Sequence, residues 1–173
     1  MSFYAFEVLY WCGVREGELL ALTPEDFDFE KRTLTINKSY QRLNKQDVIT
    51  TPKTPKSNRV IQIPQFLCDE LRDYVKQLYG VEPDSRMFPI SKSYLHREMD
   101  RGCKQTGVKR IRIHDLRHSH ISLLIDMGFT ALAIAERVGH ESIDITYRYA
   151  HLFPTRQVEM ADKLDSLKNE KGV

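Results

Sequence analysis

Residues 114–150 carry the sequence HDLRHSHISLLIDMGFTALAIAERVGHESIDITYRYA, and this stretch decides the fold because it predicts three short helices in succession. The helical runs are HDLRHSHISLLIDMG, TALAIAERVG and SIDITYRYA, and Gly128 and Gly139 separate them as glycines commonly end helices. Pro154 follows as a further stop, and a fourth short helix is expected over about 155–168. The last third of the chain is therefore predicted to be helical.

Ahead of this stretch, the pattern of apolar residues changes twice. Residues 3–21 show roughly helical spacing, and Pro24 is expected to end that helix because proline lacks a backbone donor. Over 26–64 the pattern becomes four short β-rich runs, DFDF, TLTI, DVIT and RVIQI, which predict a small antiparallel sheet. Helical spacing returns in FLCDELRDYVKQLY, which ends at Gly80, and again over about 91–106. The sequence thus predicts an α+β, mainly helical fold with a small antiparallel β-sheet in its first half.

Length and composition are typical of one folded domain. The 173 residues are 41% hydrophobic and 29% charged, which is enough to bury a core, so residues 1–173 are interpreted as a single domain. Because the first helix has the pattern of a buried helix and no capping residue, we expect that a segment precedes it in the native protein. The formal net charge of +2 permits a nucleic-acid partner without demanding one.

The cysteines and the N-terminal charges predict a cytoplasmic protein. Cys12, Cys68 and Cys103 are far apart and odd in number, and they lack the paired spacing of disulfide or zinc frameworks. Glu7 and Arg15 interrupt the apolar N-terminal stretch, which argues against a signal peptide or a membrane span. We therefore expect a reducing, cytoplasmic setting and no association with a membrane.

The densest polar cluster is KRIRIHDLRHSH at 109–120. A solvated basic face is one interpretation, but His114 and Arg117 lie three residues apart on one helical face, where they can converge on one ligand. A guanidinium binds pairs of phosphate oxygens and an imidazole titrates near neutral pH, so the pair indicates a phosphate site. Zinc bound by His114 and His118 is the alternative, and Arg117 and the lack of an obvious third ligand argue against it.

The chain resembles the tyrosine recombinase (phage integrase) family in several motifs that occur in the family's order. CGVREGELLALTPEDFDF resembles the segment with the family's first catalytic arginine, which maps that role to Arg15. Without the resemblance, Arg15 would be interpreted as an ion-paired residue with Glu18 or Asp26 as its partner. TPKTPKSNRVIQIP resembles the hairpin of the catalytic lysine, which Lys53 matches best, with Lys56 as the alternative.

Two further motifs lie in the helical part of the chain. HDLRHSH is similar to the family's His-x-x-Arg box, which assigns His114 and Arg117. ERVGHESIDITYRYAHL resembles its closing motif, in which a histidine after glycine precedes the nucleophilic tyrosine by nine residues, and so assigns His140 and Tyr149. The small residue and histidine that follow the family's tyrosine do not follow Tyr147, so we expect Tyr147 to pack or to contact DNA.

The resemblance implies site-specific DNA recombination or integration through a 3′-phosphotyrosine intermediate, without ATP, a metal ion or any other cofactor. Tyr149 would attack a DNA phosphodiester, and the strand's 5′-hydroxyl would leave. Arg15 and Arg117 would neutralise the phosphate oxygens as negative charge develops, a role that metal ions often fill elsewhere.

The same resemblance implies how protons move. His114 and His140 would donate hydrogen bonds to the phosphate, His114 would also accept the tyrosine proton, and Lys53 would protonate the leaving oxygen. Two alternatives stay open: a type IB topoisomerase, which nicks and reseals one strand with a similar site, and a DNA-binding module without catalysis.

The implied partner is double-stranded DNA, bound by a tetramer on synapsed sites, while the isolated chain is expected to be a monomer. Phosphate contacts are expected from the four cations Lys109, Arg110, Arg112 and Arg148. The family's N-terminal DNA-binding domain has no counterpart in the sequence. The tail after Pro154 is expected to dock on its own protomer or on a neighbouring one.

Overall fold

The computed structural model describes residues 1–51, 55–78, 80, 82–149, 152 and 157–170. This part of the chain consists mainly of α-helices, together with two small β-sheets. The α-helices are α1 (Ser2–Cys12), α2 (Glu16–Ala21), α3 (Gln65–Gln77), α4 (Lys92–Thr106), α5 (Ile113–Asp126), α6 (Ala131–Val138), α7 (Ile143–Tyr147) and α8 (Gln157–Glu170). The strands are β1 (Phe27–Asp28), β2 (Thr33–Ile36), β3 (Ser39–Leu43), β4 (Gln46–Thr50) and β5 (Arg59–Gln62).

The helices that the sequence predicts after residue 64 are confirmed. Hydroxyl side chains begin three of them: Ser91 accepts the Tyr94 N–H at the start of α4, Thr130 caps α6 and Ser142 caps α7. Such capping satisfies backbone donors that a helix cannot pair itself. None of the helices in the described ranges is long and apolar enough to cross a membrane.

The single helix predicted over residues 3–21 was wrong, because the chain breaks between α1 and α2. Gly13 ends α1 with a left-handed backbone (φ 62°), and Arg15 is extended at the start of α2. A Cβ atom built on Gly13 would lie 2.4 Å from Cδ2 of His120 on α5. Only glycine combines this backbone conformation with so close a neighbour. The break points the residues of the turn towards the middle of α5.

The β-rich part forms two antiparallel sheets rather than the one predicted. β1, β2 and β5 form a three-stranded sheet in that order, in which Leu34 on β2 faces Ile61 on β5. β3 and β4 form a separate hairpin, whose turn is made by Asn44 and Lys45 with positive φ. The sequence patterns did not indicate β3, since its run SYQRL has one buried residue, Tyr40.

Two groups of buried apolar side chains hold the elements together. The larger combines residues of α1, α2, the three-stranded sheet, α3 and the start of α4, with Leu9, Leu34 and Leu71 among its members. The smaller lies between α5 and α6 and consists of Ile121, Ile125, Ile134 and Val138. Leu124 and Tyr149 pack against this smaller group, so the segment after α7 is placed by apolar contacts with α5 and α6.

We expect Gly13→Ala to lower the free energy of unfolding by about 2 kcal/mol, because it adds left-handed strain and a clash with His120. The measurement is urea unfolding followed by circular dichroism. Gly102→Ala is the matched control: Gly102 lies inside α4 with no neighbouring atom within 4 Å of the added Cβ. That change should raise stability by about 0.5–1 kcal/mol. Equal effects at both positions would contradict the account.

Candidate active site

One buried carboxylate, that of Glu18 on α2, is paired with two arginines. Glu18 is 3% exposed. Arg59 on β5 donates to both of its oxygens, at 3.1 and 2.9 Å, and Arg15 donates to Oε1 at 2.8 Å. Burial acts to raise the pKa of Glu18, but the hydrogen bonds and charges of Arg59 and Arg15 lower it overall. Glu18 is therefore ionised, and it fixes the direction in which Arg15 points.

Arg117 on α5 is held by backbone carbonyls rather than by a carboxylate. Its Nη1 donates to the carbonyl of Gly13 and its Nη2 to that of Val138, both at 2.6 Å. Burial and the charge of Arg15 lower its pKa to about 9, so the guanidinium still carries its charge at neutral pH. The two carbonyls lie where α1 and α6 end, and helix C-terminal carbonyls attract cations. Backbone carbonyls at helix ends thus hold the Arg15 and Arg117 side chains in place, and they leave the charge of Arg117 unneutralised.

The end of α6 also positions His140. Nη2 of Arg15 donates to the Gly139 carbonyl at 3.0 Å, directly before His140 in the chain. Nδ1 of His140 lies 2.8 Å from the Thr146 hydroxyl, and burial together with the charges of Arg117 and Arg15 lowers the pKa of His140 to about 4. The imidazole is therefore neutral at pH 7. With Nδ1 accepting from Thr146, Nε2 carries the hydrogen and can donate it to an anion.

Tyr149 follows α7, and its backbone N–H donates to the carbonyl of Thr146 at 3.0 Å. Its phenol hydroxyl forms a hydrogen bond with Nδ1 of His118 on α5. Burial raises the pKa of Tyr149, while the charges of Arg117 and Arg148 act to lower it. The phenol is thus protonated at neutral pH, with two cations placed to stabilise its anion.

These side chains surround one cavity of about 210 Å³. Its lining contains five of the six catalytic residues expected from the sequence together with four others, namely Arg15, His114, Arg117, His118, Ile121, His140, Ile145, Arg148 and Tyr149. Two anchored arginines and a neutral imidazole beside a hydroxyl nucleophile can bind a phosphate and attack it. The cavity therefore has the chemistry of a phosphoryl-transfer site.

Lys53, the sixth expected catalytic residue, lies outside the described residues. Thr51, ahead of it, and Ser57, after it, line a cleft of about 430 Å³ that Arg15 also lines. Lys56, the alternative lysine, is exposed, and its Nζ donates to the carbonyl of Glu141 at 2.8 Å. This contact ties Lys56 to the turn that follows His140.

Of the four cations expected to contact DNA, only Arg148 lines the cavity. Arg110 is paired with Asp100 at 2.8 Å, and the Arg112 guanidinium is paired with Asp115 at the same distance. Lys109 is exposed in the segment between α4 and α5. Their contribution to DNA binding stays a prediction.

Sequence reasoning gave no role to Arg59 or Thr146, and it considered His118 only as a zinc ligand in the alternative that it disfavoured. Arg59 is 41 residues from Glu18, so no local spacing could indicate their pairing. His118 could have been found, because it lies one helical turn after His114 on the same face, and the two rings stand 4.7 Å apart and nearly perpendicular. The zinc alternative gains no third ligand: the described residues contain no group of three or more His, Cys, Asp or Glu able to hold a metal ion.

Comparison with known proteins places this site in a family. The profile of the phage integrase family matches residues 2–156. The chain is 38% identical to the ICEBs1 integrase of Bacillus subtilis (strain 168), over 94% of this chain and 48% of that protein. It is 31% identical to the integrase of Staphylococcus phage L54a, over 94% of this chain and 51% of the relative. The chain thus spans about half the length of these curated relatives.

The fold has a counterpart among solved structures. The Tn1549 transposon integrase in complex with circular intermediate DNA superposes with a TM-score of 0.80, at 21% sequence identity, over 95% of this chain and 59% of that one. This likeness confirms the predicted fold class, a tyrosine-recombinase catalytic domain fold. With the profile match and the identity to the Bacillus integrase, it shows that the chain belongs to the phage integrase family of tyrosine recombinases.

Proposed function

We propose that the chain carries out the DNA breaking and joining steps of site-specific recombination, with Tyr149 as the nucleophile. The observation that carries this proposal is that Tyr149, Arg15 and Arg117 line one cavity. A phosphodiester placed there meets two cations and an attacking oxygen at once. The relatives that the chain matches are integrases, which supports the same reaction.

The chemistry begins with attack of the Tyr149 oxygen on phosphorus. The bond to the 5′-oxygen breaks, a 3′-phosphotyrosine forms, and the free 5′-hydroxyl of a partner strand later attacks this link. Because the covalent link retains the energy of the phosphodiester, rejoining needs no ATP. A phenol has a pKa near 10, so its ionisation at pH 7 costs about 4 kcal/mol unless neighbours assist. Arg117 and Arg148 provide such assistance.

Arg15 and Arg117 take the part that metal ions fill in other phosphoryl-transfer enzymes. Their guanidinium groups are held in advance by Glu18 and by backbone carbonyls, so little reorganisation is needed when charge develops on the phosphate. His114 and His140 donate hydrogen bonds to the same oxygens, and no metal ion is required. Lys53 protonates the leaving 5′-oxygen, a role supported by the position of Thr51 and Ser57 beside Arg15.

Double-stranded DNA is the proposed substrate, and the two-strand reaction calls for a synapsed tetramer. The solved relative that shares the fold is bound to DNA. Lys109 and Arg148, both exposed, are placed to add phosphate contacts, while Arg110 and Arg112 must give up or share their carboxylate partners to do so. Binding should therefore weaken steeply with salt.

We expect a covalent protein–DNA adduct when the chain is incubated with DNA that carries a nick just 3′ of the cleavage site. The short cleaved fragment then diffuses away, so the strand cannot be rejoined. The substrate is a pool of nicked duplexes with random flanking sequence, and captured molecules are separated by denaturing electrophoresis and sequenced. EDTA is present and ATP is omitted.

Tyr149→Phe should abolish the adduct, and Tyr147→Phe, which removes an exposed hydroxyl two residues away, should retain it. Adduct loss in EDTA would contradict the metal-free mechanism. An adduct that survives Tyr149→Phe would contradict the nucleophile. Strand transfer to a second duplex, rather than resealing alone, separates a recombinase from a topoisomerase.

The tail is proposed to join protomers within the tetramer. Apolar residues Val158, Met160 and Leu164 on α8 are 75%, 49% and 66% exposed. Exposed apolar side chains grouped in this way are typical of a surface that binds another protein. A groove of about 900 Å³, which Val60 and Phe129 help to line, offers an apolar surface of the kind that an amphipathic helix can cover.

Changing both Val158 and Leu164 to Asp should abolish tetramers on DNA while single-site adduct formation persists, since the active site is untouched. Native electrophoresis or mass photometry with DNA measures the assembly, and Asp165→Asn on the same helix is the control. If the double variant assembles normally, the tail does not join protomers. If it instead unfolds more easily as a monomer, the tail docks on its own protomer.

A further inference from the structure

The hydroxyl of Tyr149 contacts a histidine that the motif assignment left without a role. The sequence assigned the acceptor of the tyrosine proton to His114, the first residue of the His-x-x-Arg box. In the structure, the hydrogen bond at the Tyr149 oxygen is made by Nδ1 of His118, one helical turn further along α5. The His118 and Tyr149 rings lie with their centroids 5.8 Å apart and tilted by 43°. The contact joins atoms at the ring edges, as proton transfer requires.

The other two imidazoles that line the cavity, those of His140 and His114, are less well placed for this task. Nδ1 of His140 is occupied by Thr146, and with a pKa of about 4 His140 is a weak base. His114 stands edge to face against His118 at 4.7 Å and is exposed. His118, by contrast, lines the cavity and directly contacts the hydroxyl that is proposed to react.

We infer that His118 is the general base that removes the proton from Tyr149 during DNA cleavage, an inference that rests on the proposed function. Nδ1 accepts the phenol proton as the tyrosine oxygen forms its bond to phosphorus and the bond to the 5′-oxygen breaks. The electron pair of that bond stays on the 5′-oxygen, which takes a proton from Lys53. In rejoining, the 5′-hydroxyl returns its proton to Lys53, and the His118 imidazolium protonates the departing Tyr149.

The fold holds His118 and Tyr149 at a fixed distance from each other. His118 directly follows Arg117 in α5, so the base and a phosphate-binding cation are carried by one rigid element. Tyr149 packs against the small apolar group between α5 and α6, which fixes its distance from that element. General base catalysis contributes typically 10²–10⁴-fold to a rate when the groups are in hydrogen-bond contact.

The charged and titratable groups that face His118 come from three parts of the chain. His114, Asp115 and Arg117 lie on α5 itself, Arg15 lies at the start of α2, and His140 and Arg148 flank α7. The test must leave all of these groups unchanged. His118→Gln does so, because it removes the imidazole nitrogen that contacts the tyrosine but retains a side chain of similar reach that can still hydrogen-bond the hydroxyl.

The first readout is the rate of adduct formation against pH, with a nicked duplex recovered from the pool described above. At pH 7 we expect His118→Gln to be slower by on the order of 10²-fold. Its rate should then rise about tenfold per pH unit, because attack must wait for spontaneous ionisation of the Tyr149 phenol, whose pKa burial raises above its ordinary value. The wild-type rate should depend less steeply on pH, because a base in contact with the phenol takes its proton. His96→Gln is the matched control, because His96 lies on α4 with its side chain 45% exposed and does not line the cavity, and it should follow the wild type.

Two chemical substitutions separate a base from a residue that only positions Tyr149. A fluorinated tyrosine at 149, whose phenol is more acidic, should restore most of the rate of His118→Gln. A sulphur in place of the bridging 5′-oxygen, which leaves without protonation, should rescue Lys53→Ala but not His118→Gln. Circular dichroism confirms that each variant is folded.

The outcomes distinguish the inference from the function on which it rests. If the wild type forms no adduct through Tyr149, the proposed function fails. If it does form one, and His118→Gln is slowed by the same factor at every pH or is rescued by the sulphur substrate, the assignment of His118 as the base is overturned.

Discussion

The guanidinium of Arg117 depends on two backbone carbonyls, and the arrangement of the site depends on that contact. Gly13 supplies one carbonyl from the end of α1, and Val138 supplies the other from the end of α6. Helix α1, which is 104 residues away at Gly13, and the neighbouring helices α5 and α6 thus meet at one side chain. A buried cation satisfied by neutral dipoles keeps its charge for a ligand, whereas a carboxylate partner would cancel it. The position of Arg117 in the cavity therefore depends on where helices α1 and α6 end.

Glu18 complements this arrangement on the opposite side. It pairs with Arg59 and Arg15 and so links α2 to the three-stranded sheet. Arg15 remains 39% exposed, and its second nitrogen reaches the Gly139 carbonyl. Three arginines with one carboxylate leave a net positive charge beside the cavity, which suits an anion whose charge grows during reaction. The Glu18 carboxylate orients Arg15 and Arg59 without neutralising all three cations.

The sequence predicts the helices and the members of the cavity well, because both depend on local signals. Glycine stops, hydroxyl caps and motif spacing are all read within a few residues, as Thr130 and Gly139 illustrate. Contacts between distant segments could not be predicted in this way. The break at Gly13 depends on the proximity of His120, and the hairpin strand β3 is polar except for Tyr40. The contact between His118 and the Tyr149 hydroxyl also joins distant segments, so the motif alone did not indicate it.

Thr146 connects two parts of the site that have different tasks. Its hydroxyl bonds to His140, and its carbonyl accepts the backbone N–H of Tyr149; the residue is fully buried. A displacement that withdraws the tyrosine from the cavity pulls on the same residue that orients the histidine. Such a displacement is therefore expected also to disturb the contact that orients the His140 imidazole. Under the proposed function, withdrawal of the nucleophile and loosening of a phosphate-binding histidine would be one coupled event, because both side chains depend on Thr146.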